Sequence, residues 1–341
     1  MLQIWKGQVV KRITLMIITI VNMLGLVGSV QADALSIYEI QYTTDVNGTS
    51  PQNDNVVDCH GGIVIHKSPS WIRPKLTLYD PNYPDAWGGI MAKDIDEVGA
   101  FDDVNVGDWV CFTNVLVEEF KGTTFLQYLT ANDSNLAIVS RNNPLPKPLK
   151  VSVDEIAAPV PAGWNGLEFT EWLVADHNSE KYEGMLIKVV DVNVKDKGYG
   201  KEPDNYILES NVDSNLTCWA SDYMNIDKGG GPIYHSYVEI GQNFCVVAGV
   251  VEQYTAEKDG IDYDYYQLLT TSTESFTQTA DLDGDCDVDF LDFSVFARHW
   301  SEGGCTGPDW CGGADLIHDA NEIVDMFDLM EFLQYWLEGK Y

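Results

Sequence analysis

An internal repeat constrains the fold of this chain more than any other feature. Residues 107–120 align without a gap with residues 241–254, and a glycine, a cysteine, a β-branched run, a glutamate and a final aromatic residue coincide. Both copies also open with a similar motif, at residues 36–40 and 152–156. The sequence therefore predicts two tandem modules of one fold, joined by a proline-rich and semi-rigid connector at residues 143–148.

Each copy contains five short segments that are rich in β-branched and aromatic residues and end at Gly, Asn or Asp. Such segments are typical of β-strands. The predicted strands are 56–65, 75–79, 87–92, 109–120 and 124–129 in the first copy, and 185–194, 205–208, 217–221, 244–254 and 263–269 in the second. Five strands in so short a module predict a small closed barrel or a sandwich, because closure removes exposed strand edges.

The first residues of the chain have the pattern of a secretory signal peptide. Lys6, Lys11 and Arg12 precede an apolar stretch at residues 13–30, and small residues near Ala32 offer a cleavage site. A retained membrane anchor is the alternative. We expect a secreted protein, extracellular or periplasmic, with no stable membrane span after cleavage. Export permits disulfides, and two of the seven cysteines, Cys305 and Cys311, are close enough in sequence for a local pair.

The charge balance is strongly acidic, with 20 Lys+Arg against 53 Asp+Glu and a formal net charge of −33. Nucleic-acid-binding proteins normally carry a basic patch that displaces counterions from phosphate. Few cations are present here to build one, so the composition argues against nucleic acid as a partner. Four aromatic residues of the first copy, Trp71, Tyr79, Tyr83 and Trp87, are interpreted either as barrel core or as a flat platform for sugar rings or a protein surface.

The C-terminal segment carries the clearest chemistry. Residues 281–292 place acidic side chains at positions 1, 3, 5, 9 and 12 of a calcium loop, with a backbone carbonyl at position 7. The predicted Ca²⁺ ligands are Asp281, Asp283, Asp285, Asp287 (through its backbone), Asp289 and Asp292. An amphipathic helix follows, with apolar residues at helical spacing. Val288, at position 8, is expected to pair two such loops through a short β-bridge.

A second, degenerate copy of this loop lies 36 residues further on, which aligns Asp289 with Asp325. Its predicted ligands are Asp319, Asn321, Asp325 and Asp328. Position 1 falls on Ile317, which is no ligand, and Asp315 takes its place if the loop holds two extra residues. The sequence thus predicts two calcium sites, of which the second is irregular.

Two family resemblances follow from these motifs. The body resembles the tandem OB-like barrels of secreted bacterial proteins, including those beside extracellular nucleases, and residues 281–337 resemble type I dockerins, which hold two calcium loop–helix repeats. The resemblance implies docking onto a cohesin module. Cys286 departs from the glycine expected at position 6. The expected docking surface, Phe290, Leu291, Met326 and Phe327, is apolar where small polar residues often occur in that family.

The predicted architecture is therefore mainly β, with two tandem OB-like β-barrels followed by a small all-α, EF-hand-like dockerin module. The predicted segments are a signal peptide at 1–32, barrels at 33–147 and 148–278, and the calcium-binding domain at 279–341. The predicted function is docking to a cohesin-like protein or another extracellular protein surface, with the barrels as binding or spacer modules. The alternatives are an accessory protein or hydrolase of polysaccharide degradation and, ranked last, nucleic-acid-binding barrels. No catalytic residue is predicted, and enzyme activity is left open.

Overall fold

The computed structural model describes residues 34–68, 75–156, 171–173, 176–197, 205–221, 238–258, 261–271, 273–276, 280–306, 310–317 and 321–337. The predicted signal peptide, Trp71 and Asp319 lie outside these residues. None of the helices in the described ranges has the length and apolarity needed to cross a membrane.

Five strands form a closed barrel in the first half of the chain. They are β1 (Val56–Lys67), β2 (Lys75–Tyr79), β3 (Gly89–Asp94), β4 (Trp109–Phe120) and β5 (Thr123–Tyr128). They pair in the order β1-β2-β3-β5-β4, and β4 also pairs with β1, which closes the barrel. Only β3 and β5 run parallel. Another strand, β6 (Asn135–Ser140), extends the sheet beside β4.

The second half repeats this arrangement. Its strands are β7 (Leu149–Lys150), β8 (Glu171–Leu173), β9 (Leu186–Lys197), β10 (Asn205–Ser210), β11 (Thr217–Ser221), β12 (Asn243–Lys258) and β13 (Ile261–Leu269). The barrel order is β9-β10-β11-β13-β12, and the pairing of β12 with β9 completes the ring. Strand β7 lies beside β9, and β8 lies beside β13.

The two barrels therefore share the strand order 1-2-3-5-4-1, which is the five-stranded Greek-key barrel of the OB-fold. The protein is mainly β, with two OB-like barrels. Three predicted strands, 75–79, 109–120 and 217–221, have the observed bounds, and the others differ at their ends. Strand β3 begins at Gly89 because Trp87 has a left-handed backbone, with φ of 61°, which is incompatible with a strand. Strand β12 continues past residue 254 to Lys258 because it stays paired with β13.

A short helix precedes the first barrel. Helix α1 (Ile37–Gln41) begins at Ser36, whose side chain accepts the amide of Glu39 while the Glu39 carboxylate accepts the amide of Ser36. This reciprocal capping box satisfies two amides that a helix start leaves unpaired. The equivalent motif of the second copy forms a 3₁₀ turn, Val153–Ile156, at which the Ser152 amide donates to Glu155.

The barrels pack against each other through β3 and β5 of the first and β12 and β13 of the second. Met91 and Phe125 join Val250 and Leu269 in one apolar cluster. The neighbouring side chains of the first barrel, Lys75, Thr77, Lys93 and Gln127, are buried as well. The outer face of β2, β3 and β5 is thus covered, although OB-folds commonly bind ligands on the face of their second and third strands.

The C-terminal region contains two short helices, α2 (Phe290–Arg298) and α3 (Met326–Gln334). Val288, Phe296, Val324 and Phe332 form the centre of a small core of their own. Cys305 and Cys311 are disulfide-bonded, as the sequence suggested, and a second disulfide joins Cys286 to Cys245 of β12. Cys59, Cys111 and Cys218 are free thiols.

Candidate binding surface and metal loop

Aromatic side chains stack on the outer surface of the first barrel. The Tyr38 ring lies between those of Tyr42 and Tyr83, with centroids 5.1 and 4.5 Å away and planes within 15° and 16° of parallel. Trp87 meets Tyr42 edge-on, with centroids 5.4 Å apart. Tyr42 is 44% exposed, and the other three are partly exposed. These four residues are here called the aromatic platform; Tyr38 is covered on both faces by its two neighbours, and Tyr42 is the most exposed ring of the stack.

Two elements hold the platform. Helix α1 brings Tyr38 and Tyr42 to one side, because residues four apart share a helix face. The loop after β2 supplies Tyr83, whose amide donates to the Asp80 carbonyl, and Trp87, whose amide donates to the carbonyl of Lys181 in the second barrel. The sequence identified Tyr83 and Trp87 as platform candidates and missed Tyr38 and Tyr42, although their spacing of four residues was a signal.

A cleft of about 330 Å³ lies where the connector passes between the barrels. Its apolar lining comes from Tyr79, three prolines and residues of β7 and β9, and its charged lining consists of Lys147, Lys150, Lys188 and a single carboxylate, Asp85. Lys150 and Lys188 are register partners on neighbouring strands. We call this feature the lysine cleft. Its local charge is positive, although acids greatly outnumber bases in the chain as a whole.

The lysine cleft and the aromatic platform are neighbours. Pro84 and Asp85 line the cleft and follow Tyr83 directly in the chain. Tyr79, the remaining described platform candidate, lies in the cleft rather than in the stack. Stacking rings and cations therefore meet along one surface, which is the combination that single-stranded nucleic acids require.

The acidic loop at residues 281–292 gathers its carboxylates into two groups. Asp281, Asp283 and Asp285 each offer an oxygen atom within 4.8 Å of the others, and so do Asp287, Asp289 and Asp292. Such oxygen-rich groups suit a hard cation such as Ca²⁺. Burial raises the pKa of Asp281, and the carboxylates of Asp292 and Asp285 raise it further. A bound cation would relieve this repulsion.

Asp292 organises the loop from its centre. It is fully buried, and its Oδ1 accepts the amides of Leu282 at 2.6 Å and Asp283 at 3.1 Å. Its Oδ2 accepts the amide of Asp289 at 2.7 Å, which also caps helix α2. Cys286 occupies loop position 6 with φ of 76°, so a side chain stands where calcium loops use glycine.

The second loop repeats this geometry with a longer insert. Asp328 Oδ1 accepts the amides of Leu316 and Ile317, and its Oδ2 accepts the amide of Asp325. This pattern makes Asp315 the counterpart of Asp281, with two extra residues in the loop. Asp315 is 2% exposed, and Asn321 is exposed. The isolated β-bridge between the two units joins Gly303 and Ile323, whereas Val288, the residue named from sequence, links them by accepting the Leu337 amide at 2.9 Å.

The apolar residues named from sequence as a docking surface lie at the start of the two helices. Phe290 and Leu291 are 73% and 57% exposed, and Met326 and Phe327 are 57% and 59% exposed. The Phe290 ring packs edge-on against Trp336, with centroids 5.0 Å apart. All four side chains are therefore largely exposed, and Phe290 also contacts another residue of the C-terminal region.

Comparison with known proteins finds similar solved structures of low sequence identity. No protein-family model matches the chain, and no curated protein matches it. Similar solved structures include the crystal structure of fission yeast Pot1 with ssDNA, at 13% identity over 74% of this chain and 88% of that chain, with a TM-score of 0.27. Another is a replication protein A heterotrimer bound to ssDNA, at 10% identity over 70% of this chain and 68% of that chain, with a TM-score of 0.22.

These findings correct two predictions made from the sequence. The predicted function of docking to a cohesin-like protein, with polysaccharide degradation as its alternative, is contradicted by the similar structures, which contain ssDNA. The prediction against nucleic acid as a partner is wrong for the same reason. It relied on net charge, which averages over the whole chain and does not report three lysines gathered at one cleft.

Proposed function

We propose that the two-barrel body binds single-stranded nucleic acid along the aromatic platform and the lysine cleft. The observation that carries this proposal is the adjacency of the two features, which share the loop after β2. Bases stack on aromatic rings irrespective of sequence, and lysines neutralise the phosphates between them. The Pot1 and replication protein A structures contain such a ligand.

The geometry supports a ligand path outside the usual OB face. The outer face of the first barrel's central strands is buried against the second barrel, so the exposed rings lie on α1 and the neighbouring loop instead. Lys150 and Lys188 are register partners on neighbouring strands, so a phosphate group bound in the cleft would contact both side chains. The acidic remainder of the surface would confine the strand to this path.

Fluorescence anisotropy with a labelled oligothymidine, at low ionic strength, tests the proposal. Tyr42→Ala and Tyr83→Ala are expected to weaken binding by about 5- to 150-fold, since base–aromatic stacking is worth about 1–3 kcal/mol per base. Lys188→Gln is expected to weaken binding as well. Lys195→Gln, on the same strand β9 but outside the cleft, is the matched control and should bind like the parent. No detectable binding by the parent protein would overturn the proposal.

We further propose that the acidic loops bind Ca²⁺. We also propose that the C-terminal region has the loop–helix fold of dockerins, and this proposal concerns the fold and not docking to a partner. The two carboxylate groups of the first loop and the buried Asp292 support this proposal. Calorimetric titration of Ca²⁺ into chelator-treated protein should show two sites. The proposed ligands of the first are Asp281, Asp283, Asp285, Asp289 and Asp292, and those of the second are Asp315, Asp325 and Asp328. No heat of binding at millimolar Ca²⁺ would contradict it.

Export from the cytoplasm is part of the same proposal. Both disulfides belong to an oxidising compartment, and calcium is abundant outside the cell at the concentrations that extracellular modules use. N-terminal sequencing of protein recovered from the producing cells checks it, since cleavage after Ala32 is expected.

A further inference from the structure

The seam between the barrels contains a cluster of acidic side chains. Glu180 and Glu183, at the 3₁₀ turn Asn178–Tyr182, are 3% and 1% exposed, and Glu119 of β4 lies beside them. No Lys or Arg among the described residues forms an ion pair with any of the three. Acidic groups buried together in this way are normally paired with cations, because an isolated buried charge is costly.

Glu183 belongs to the second barrel but is held by the first. Its Oε1 accepts the Thr124 amide at 2.9 Å and the Gln41 side-chain amide at 3.3 Å. Thr124 also donates through its hydroxyl to Glu119 Oε1, at 2.7 Å, so one residue links two carboxylates. Glu183 Oε2 and Gln41 Oε1 are buried with no hydrogen-bond partner among the described residues. The contacts therefore compensate only part of a full negative charge.

Glu180 reaches the cluster from the other side. Its Oε2 accepts the hydroxyl of Tyr266 at 2.7 Å. That hydroxyl also lies 2.9 Å from His177 Nδ1, and His177 Nε2 lies 3.4 Å from Asp264 Oδ2. Gly48 of the first barrel leaves room for this carboxylate, since a Cβ there would lie 2.6 Å from Glu180 Oε2. Both barrels thus contact both buried glutamates.

We propose that this carboxylate cluster is a pH-sensitive lock, closed while Glu180 and Glu183 hold protons and opened when they ionise. Among the described residues, the titratable groups that face it are Asp45 and Glu119 from the first barrel, Asp264 and Tyr266 from β13, and His177. Ionising both glutamates would place adjacent negative charges in a space closed to water. Separation of the barrels would hydrate them.

The direction of the effect follows from the titration of the two groups. Burial raises the pKa of Glu180 to about 8, with Glu119 and Asp264 adding to it, and burial together with Glu180 raises the pKa of Glu183 well above its usual range. An acid with a raised pKa in the closed state binds more protons there than in the open state. Closure is therefore fully favoured below the ordinary glutamate pKa and is lost as pH rises through about 8.

Hydrogen exchange of the full chain between pH 6 and 10 tests the lock at the Thr124 amide. After correction for intrinsic exchange, we expect protection to fall by up to about tenfold per pH unit for each proton released as pH rises toward about 8, and to level off above it. Infrared difference spectra of the same parent protein should show loss of a protonated carboxyl band over the same range. The infrared measurement needs no variant, and it reports the protonation of the carboxyl groups themselves rather than any effect of their side chains on packing.

Variants test whether protonation of the two glutamates, rather than another property of their side chains, keeps the seam closed. Glu183→Gln and Glu180→Gln imitate the protonated acids and should keep the seam closed at pH 9, whereas Glu239→Gln, at an exposed acid of the same barrel, should open like the parent. The lock is overturned if protection of Thr124 is independent of pH, or if the carboxyl band is absent at neutral pH. It is also overturned if added divalent cation or chelator, rather than pH, controls protection.

Discussion

Cys286, at the sixth position of the acidic loop, is disulfide-bonded to Cys245 in strand β12 of the second barrel. The loop proposed to bind calcium is therefore covalently anchored to the body, 41 residues away in sequence. A cross-link of this kind restricts the unfolded chain as well as the folded one. The metal loop and the barrel are mechanically coupled as a result.

Breaking this anchor should destabilise the C-terminal region. With Ca²⁺ present, Cys245→Ser is expected to lower the free energy of unfolding of that region by about 2–4 kcal/mol, the usual contribution of a disulfide. Hydrogen exchange at the amides of α2 and α3 measures the change in that region, since tryptophan fluorescence would report all ten tryptophans of the chain. Cys218→Ser, which removes a buried free thiol of the same barrel, is the control for lost packing. Equal effects of the two variants would argue against the anchor.

Removing the central carboxylate should abolish metal binding by the first loop. Asp292→Asn retains the size of the side chain but loses the charge and one of two amide acceptors, so Ca²⁺ affinity is expected to fall by at least about 100-fold, or about 3 kcal/mol. Calorimetric titration provides the measurement. Glu302→Gln, an exposed acid outside both loops, should leave the affinity unchanged.

Gly89 lies against Gly184 of the other barrel, and a side chain at residue 89 should destabilise the protein. A Cβ at residue 89 would lie 2.2 Å from the Gly184 carbonyl carbon across the seam, so Gly89→Ala must push the barrels apart. We expect a loss of about 1–3 kcal/mol in the unfolding free energy, as for other overpacked sites, measured by urea denaturation. Gly303→Ala, where the nearest atom is an Ile323 side-chain carbon 3.6 Å away, is the matched control.

Salt should weaken the binding of single strands to a limited degree. Three lysines line the cleft, so the slope of log affinity against log salt is expected to be about −2, at about −0.7 per neutralised phosphate. Affinity should fall by roughly 20-fold between 50 and 200 mM salt. Lys150→Gln should make the slope shallower by about 0.7. Anisotropy titrations over a salt series give these values, and a slope near zero would exclude phosphate contacts in the cleft.

Local patterns were sufficient to predict most strands. Strands β2, β4 and β11 have the bounds that the sequence indicates, because short runs rich in β-branched and aromatic residues between turn residues are encoded within each segment. Strand β3 was placed two residues early, since the left-handed backbone of Trp87 depends on its bond to Lys181 in the other barrel. The aspartate spacing likewise indicated the loop, whereas the partner of Cys286 was not readable from sequence.

By itself, the sequence determined the repeat, the mainly β character and the positions of the acidic side chains, because hydrophobic period and residue spacing are properties of neighbouring residues. Only the tertiary structure decided which faces meet: that Tyr38 stacks on Tyr83, that Lys150 stands beside Lys188, and that Glu183 enters the first barrel. These contacts join residues far apart in the chain, and packing against a second surface selects them. Whole-chain charge carries no information about such local placement.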